Sequence, residues 1–172
     1  MPRKEEILNG SVAVIAKTGL VGWTVDQVAR ETGCAKGLVL YHYRGKTELL
    51  DATADRLLKD SIQRRVAAIG AGAAGSALAR IWWALLEEVS SGQFAALVSL
   101  RAIGLPIAST ASPETLRTAA ATALDVAPEA LAEGVTIAAM LDGLALQLLS
   151  RRPEAAVREA YDQLWVSLVE PE

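Results

Sequence analysis

Cysteine, histidine and phenylalanine each occur once in the 172 residues, the first two as Cys34 and His42. One cysteine excludes an internal disulfide, and one cysteine with one histidine leaves a Cys/His metal site too few ligands to close. No metal and no cofactor is expected. Long apolar runs are missing too. The longest uncharged stretch, residues 66–79, is broken by glycines at 70, 72 and 75, whereas a membrane-spanning helix needs about 20 mostly apolar residues. The opening Met-Pro-Arg-Lys-Glu-Glu brings acids where a secretory leader carries only positive charge, so a soluble, cytoplasmic protein is expected. Strand-like alternation between hairpin turns is absent. So is a phosphate-cradling glycine loop after a strand, or a nucleophile with a base and an orienting acid. Glu87 and Glu88 are helix neighbours that point apart, a poor carboxylate pair. Nothing calls for an enzyme.

Apolar residues, by contrast, make up 52% of the chain, enough for one or two cores. The formal charge of −3 conceals an asymmetry. Residues 1–65 carry 11 Lys and Arg against 8 Asp and Glu, a balance of +3, and all five lysines. Residues 66–172 carry 6 against 12, a balance of −6. A basic module joined to an acidic body is the natural reading.

The periodicity is helical throughout and predicts an all-α fold of about nine helices. Ile7, Leu8, Val12, Ile15 and Ala16 share one face of a first helix, closed at Thr18-Gly19. Thr24 caps the second helix, Gln27 three positions on completes a capping box, and Trp23 with Val28 forms a hydrophobic staple. That helix stops at Gly33, and a third begins after only Gly33-Cys34-Ala35. Two short helices around a glycine-bearing turn are a helix-turn-helix. A long fourth helix runs from Lys46 past Arg65, with Arg64-Arg65 on a solvated face. The glycine-dense stretch 70–75 reads as a linker, with Ser76 capping the helix after it. Later helices start at about Gln93, at Ser112-Pro113, at Pro128 (running to about Arg151) and at Pro153 (ending near Val169). This suggests a reading head over residues 1–45 and a second domain over 46–172.

The third helix has the residues that a duplex reader needs. A helix in the major groove must offer side chains that reach base edges, and little bulk where it approaches closely. Lys36 reaches guanine acceptors or phosphate, Gly37 removes bulk, and Leu38 fits a thymine methyl. Tyr41 and His42 have polar tips suited to phosphate oxygens, Thr24 stands at the start of the second helix, and Lys46 at the start of the fourth, where an anion is favoured. Cys34 reads as a small buried apolar residue.

Gly33 to Leu50 (GCAKGLVLYHYRGKTELL), with Thr24 to Ala29 (TVDQVA) upstream, resembles the DNA-binding signature of TetR-family transcriptional regulators over about the first 50 residues. Cys34 and Ala35 stand where the family usually has valine and serine, Leu40 where it has tyrosine, Tyr43 for phenylalanine and Gly45 for serine or asparagine. The resemblance implies a ligand-responsive repressor that binds a palindromic operator as a homodimer. It also implies a C-terminal domain that holds a small effector and dimerises through its last two helices. Residues 139–147 (AMLDGLALQ) resemble part of that pair. Trp82 and Trp83 are candidates for the effector pocket, although adjacent helical positions point about 100° apart and cannot face one cavity equally. Phe94, Leu97, Arg101, Met140 and Leu144 are weaker candidates; each has an equally ordinary place in a core or at a charged edge. The alternative is an all-helical protein-interaction or scaffold module that has lost DNA binding.

Overall fold

The computed structural model describes residues 2–70, 74–104 and 113–167. Among them are nine α-helices: α1 (Pro2–Gly22), α2 (Val25–Glu31), α3 (Lys36–His42), α4 (Lys46–Gly70), α5 (Ala74–Ser90), α6 (Gln93–Ala102), α7 (Pro113–Leu124), α8 (Gly134–Leu149) and α9 (Glu154–Ser167). The all-α expectation is borne out. The chain packs as two compact units, dividing inside α4 between Lys59 and Asp60, with residues 91–104 belonging to the first. The boundary expected between residues 45 and 46 falls at the start of α4, 14 residues before this division.

In the first unit, α1 kinks at Gly19 (φ 69°), where glycine takes the left-handed conformation at no steric cost. The core joins Ile7 and Ile15 of α1, Val28 of α2, Val39 of α3, Leu49 and Leu57 of α4, and Leu97 and Leu100 of α6, all essentially buried. Burying such side chains stabilises the fold by about 1.5–3 kcal/mol each. A chain of hydrogen bonds crosses this apolar interior. The Trp23 indole N–H donates to Ser11 Oγ (3.0 Å), and Thr53 Oγ1 donates to the Leu49 carbonyl (2.6 Å). Thr53 thus has no proton left, so in the 2.7 Å Ser11–Thr53 contact Ser11 is the donor. Gly92 (φ 78°) precedes α6; a β-carbon there would collide with the Ala16 carbonyl oxygen, so glycine lets α6 lie close against α1.

The second unit is organised around a charge. Arg65 and Glu88 are 2% and 1% exposed, with Arg65 Nη2 3.0 Å from Glu88 Oε2 and Nη1 2.8 Å from Asp142 Oδ1. The pair Arg64-Arg65 is therefore not the solvated face expected of it: Arg64 is partly covered, with Nε 3.7 Å from Glu88. Burial alone would lower the Arg65 pKa; Glu88 and Asp142 outweigh it, and the net shift is upward. Arg80 donates to the Ala68 and Ile69 carbonyls, satisfying the end of α4. Tyr161 of α9 packs on Trp82 and Trp165, at 5.3 and 6.0 Å between ring centroids, and its hydroxyl donates to the Leu78 carbonyl. Burial drives its pKa upward.

Two helix starts differ from expectation. Pro128 opens only a 3₁₀ turn, Pro128–Ala130, and α8 begins at Gly134, whose N–H donates to the Glu114 carboxylate of α7 at 3.1 Å. Glu133 at the cap position makes no side-chain capping bond, so the cap comes from another helix and local sequence does not reveal it. Ser76 lies inside α5, which begins at Ala74. Residues 71–73 of the expected linker, Ser112 and the expected end near Val169 lie outside the described residues.

Candidate nucleic-acid interface

The helix-turn-helix forms as its local chemistry dictates. Thr24 caps α2 by accepting from the Gln27 N–H (3.1 Å), and its own hydroxyl donates to Gln27 Oε1 (3.4 Å). Gly33 takes φ 61° at the turn, and the Cys34 N–H returns to the Ala29 carbonyl at 2.9 Å. Cys34 is partly buried against the core. Ala35 precedes α3 without any side-chain cap.

Inward, α3 sends Val39 into the core, followed by Tyr43, which is also buried. The Tyr43 hydroxyl donates to the Lys4 carbonyl (3.1 Å), and the Lys4 ammonium sits 5.1 Å from its ring centroid. Burial raises the Tyr43 pKa, with the Glu48 charge adding to the shift. Outward lie Lys36, Gly37, Leu40 and Tyr41, the last 80% exposed, with Leu38 and His42 partly covered. The Tyr41 and His42 rings meet edge to face at 5.4 Å. Nothing lies within 4 Å of where a β-carbon on Gly37 would stand. Lys46, exposed at the start of α4, holds its ammonium 5.8 Å from the Trp23 ring centroid. Thr24 is exposed as well. The seven candidate DNA-binding residues thus lie on one helix-turn-helix and the start of the helix that follows it. The sequence reading missed Asp26, whose carboxylate is 2.8 Å from the Lys36 ammonium; that pair spans the turn and matches no helical spacing.

The effector candidates are spread over both units. Phe94 and Leu97 are buried in the first, where Arg101 is exposed. In the second, Trp82 is buried against Tyr161 with the Arg158 guanidinium 5.2 Å from its ring centroid, while Trp83 is 65% exposed and Met140 38%. Leu144 lines a surface cleft of about 270 Å³ with Gln147, Arg152 and Val157. No group of three or more potential metal ligands occurs among the described residues, and no helix among them is long and apolar enough to cross a membrane.

Residues 7–53 match the N-terminal model of the bacterial regulatory proteins of the tetR family. The HTH-type transcriptional regulator BetI 2 of Chromohalobacter salexigens is 33% identical over 58 residues, covering 34% of this chain and 28% of that relative. The chain thus spans little more than a quarter of that relative's length. Among solved structures, a transcriptional regulator from Rhodococcus sp. Rha1 superposes with a TM-score of 0.68 at 23% identity, covering 98% of this chain and 99% of the other. The multidrug binding protein EbrR complexed with imidazole gives a TM-score of 0.61 at 22% identity, covering 99% and 97%. Likeness at that identity concerns the fold. The resemblance read from the helix-turn-helix residues is borne out.

Proposed function

We propose, from the premise that residues 7–53 are a tetR-family DNA-binding module, that the protein is a transcriptional regulator reading a palindromic operator as a homodimer. Gly37 is the observation that carries this reading. Glycine inside a helix costs about 1 kcal/mol relative to alanine, and no neighbour within the chain requires it. A partner that approaches the outer face of α3 closely does require it, and a major-groove edge is such a partner. Lys36, Leu38, Tyr41 and His42 surround the position, with Thr24 and Lys46 at its margins. The net positive charge of the first 65 residues supports the same partner.

The dimer forms through α8 and α9, on whose surfaces Val135, Met140, Leu146 and Val166 are exposed; they offer apolar area for a second copy to cover. Two recognition helices then enter successive major grooves about 34 Å apart. A small effector held by the C-terminal domain favours one spacing of the reading heads; the multidrug binding protein EbrR, similar in fold, is known complexed with imidazole. The effector lowers DNA affinity by its differential affinity for the two states. The mode is repression and the compartment is the cytoplasm. Selection from random duplexes tests the reading. Recovery of an inverted repeat with half-sites one helical turn apart is expected; recovery of no enriched sequence contradicts it.

A further inference from the structure

The ion pair of Asp26 with Lys36 puts an acid beside the face that the proposed function gives to DNA. A carboxylate there repels phosphates and so opposes the sequence-independent part of binding. Exposed ion pairs add little to stability, and both side chains are about half exposed, at 51% and 54%. Yet Asp26 takes the ammonium of the residue that opens the recognition helix, at 2.8 Å. Lys36 stands at the positive end of its helix dipole, where a cation is disfavoured; a carboxylate from the first turn of α2 offsets that.

We infer that Asp26 is a positioning residue for base reading, holding the Lys36 ammonium on a G·C edge and withholding it from phosphates. The inference rests on the DNA-binding reading above. A free lysine is a flexible point charge and follows the nearest phosphate on any duplex. Tied to Asp26, it keeps its remaining N–H donors for a base. The pair offers a donor and an acceptor side by side. A G·C pair suits them best in the major groove, since guanine alone sets two acceptors, O6 and N7, side by side for the lysine, and the paired cytosine amino group donates to the carboxylate. Ala35 brings no side-chain cap that would compete for either group.

The test is random-duplex selection with the full chain as wild type, Asp26→Asn, Lys36→Ala and the double variant, alongside binding to one non-operator duplex over a range of salt. Wild type should enrich a G·C pair at one position per half-site, and Lys36→Ala should flatten that position. Asp26→Asn should flatten the same position while tightening non-operator binding and steepening its salt slope by about 0.9. The double variant should lose no more preference than Lys36→Ala alone. Glu31→Gln, which removes a charge elsewhere on α2, should steepen the slope but leave the position enriched. An Asp26→Asn protein that keeps its G·C preference, or that loses it additively in the Lys36→Ala background, overturns the inference and leaves the DNA reading standing. A wild type that enriches nothing overturns both.

Discussion

The two units place their ion pairs differently. In the first, the ion pairs Arg3–Glu6, Asp26–Lys36 and Glu5–Arg56 lie at the surface, over an apolar interior crossed by the Trp23–Ser11–Thr53 hydrogen bonds. In the second, Arg65, Glu88 and Asp142 carry charge into the interior; Trp83, Val135 and Val166 are more than half exposed there, as Val21 and Tyr41 are in the first. A cation-bearing surface suits a polyanion. An apolar surface suits a protein or an apolar ligand. The same kind of bond therefore has different consequences in the two places: at the surface, water replaces a lost partner, and inside nothing does.

The largest expected effect breaks that comparison at its strongest point. Arg65→Ala takes the 3.0 Å partner from buried Glu88 and the 2.8 Å partner from Asp142, and should cost up to about 3–5 kcal/mol in urea-induced unfolding. A loss below 1 kcal/mol would mean that the second unit does not depend on its buried charge. Next comes the apolar surface. Val166→Asp together with Met140→Asp should turn a dimer into a monomer in analytical ultracentrifugation while leaving the helical circular dichroism unchanged; an unchanged sedimentation coefficient would place the interface elsewhere. Gly37→Ala should act with opposite signs on two properties. Folding should gain up to about 1 kcal/mol from the higher helix propensity of alanine, while duplex binding weakens. A gain in both would remove the reason offered for the glycine. Smallest is Arg56→Ala in the first unit, which breaks an exposed pair with Glu5 and should cost less than about 1 kcal/mol.

Local chemistry made the first unit legible. The Thr24 cap, the Gly33 turn and the break at Gly19 are signals carried by a few consecutive residues, and each stands where the sequence puts it. The missing cap at Ala35 was equally visible. The second unit was less readable because its determinants lie far apart in the chain. Arg65 looked like surface because its partners, Glu88 and Asp142, are on α5 and α8. Pro128 looked like a helix start, but the cap that starts α8 is Glu114, on α7. Asp26 escaped for the same reason on a smaller scale, since its partner lies across the turn. The effector candidates rest on residue type alone, and Phe94 and Leu97 are buried with α6 in the first unit, an association that no periodicity foretells.

On the proposed function, the first unit binds duplex DNA through phosphate contacts around an α3 that reads bases. Its most direct test is the affinity of the full chain for duplex DNA as a function of salt, in wild type and Lys46→Ala. Log affinity should fall linearly with log salt, and the Lys46→Ala protein should be weaker on every sequence with a slope smaller by about 1. Absence of duplex binding at low salt, or a slope indifferent to Lys46, would contradict it and favour a helical protein-interaction module.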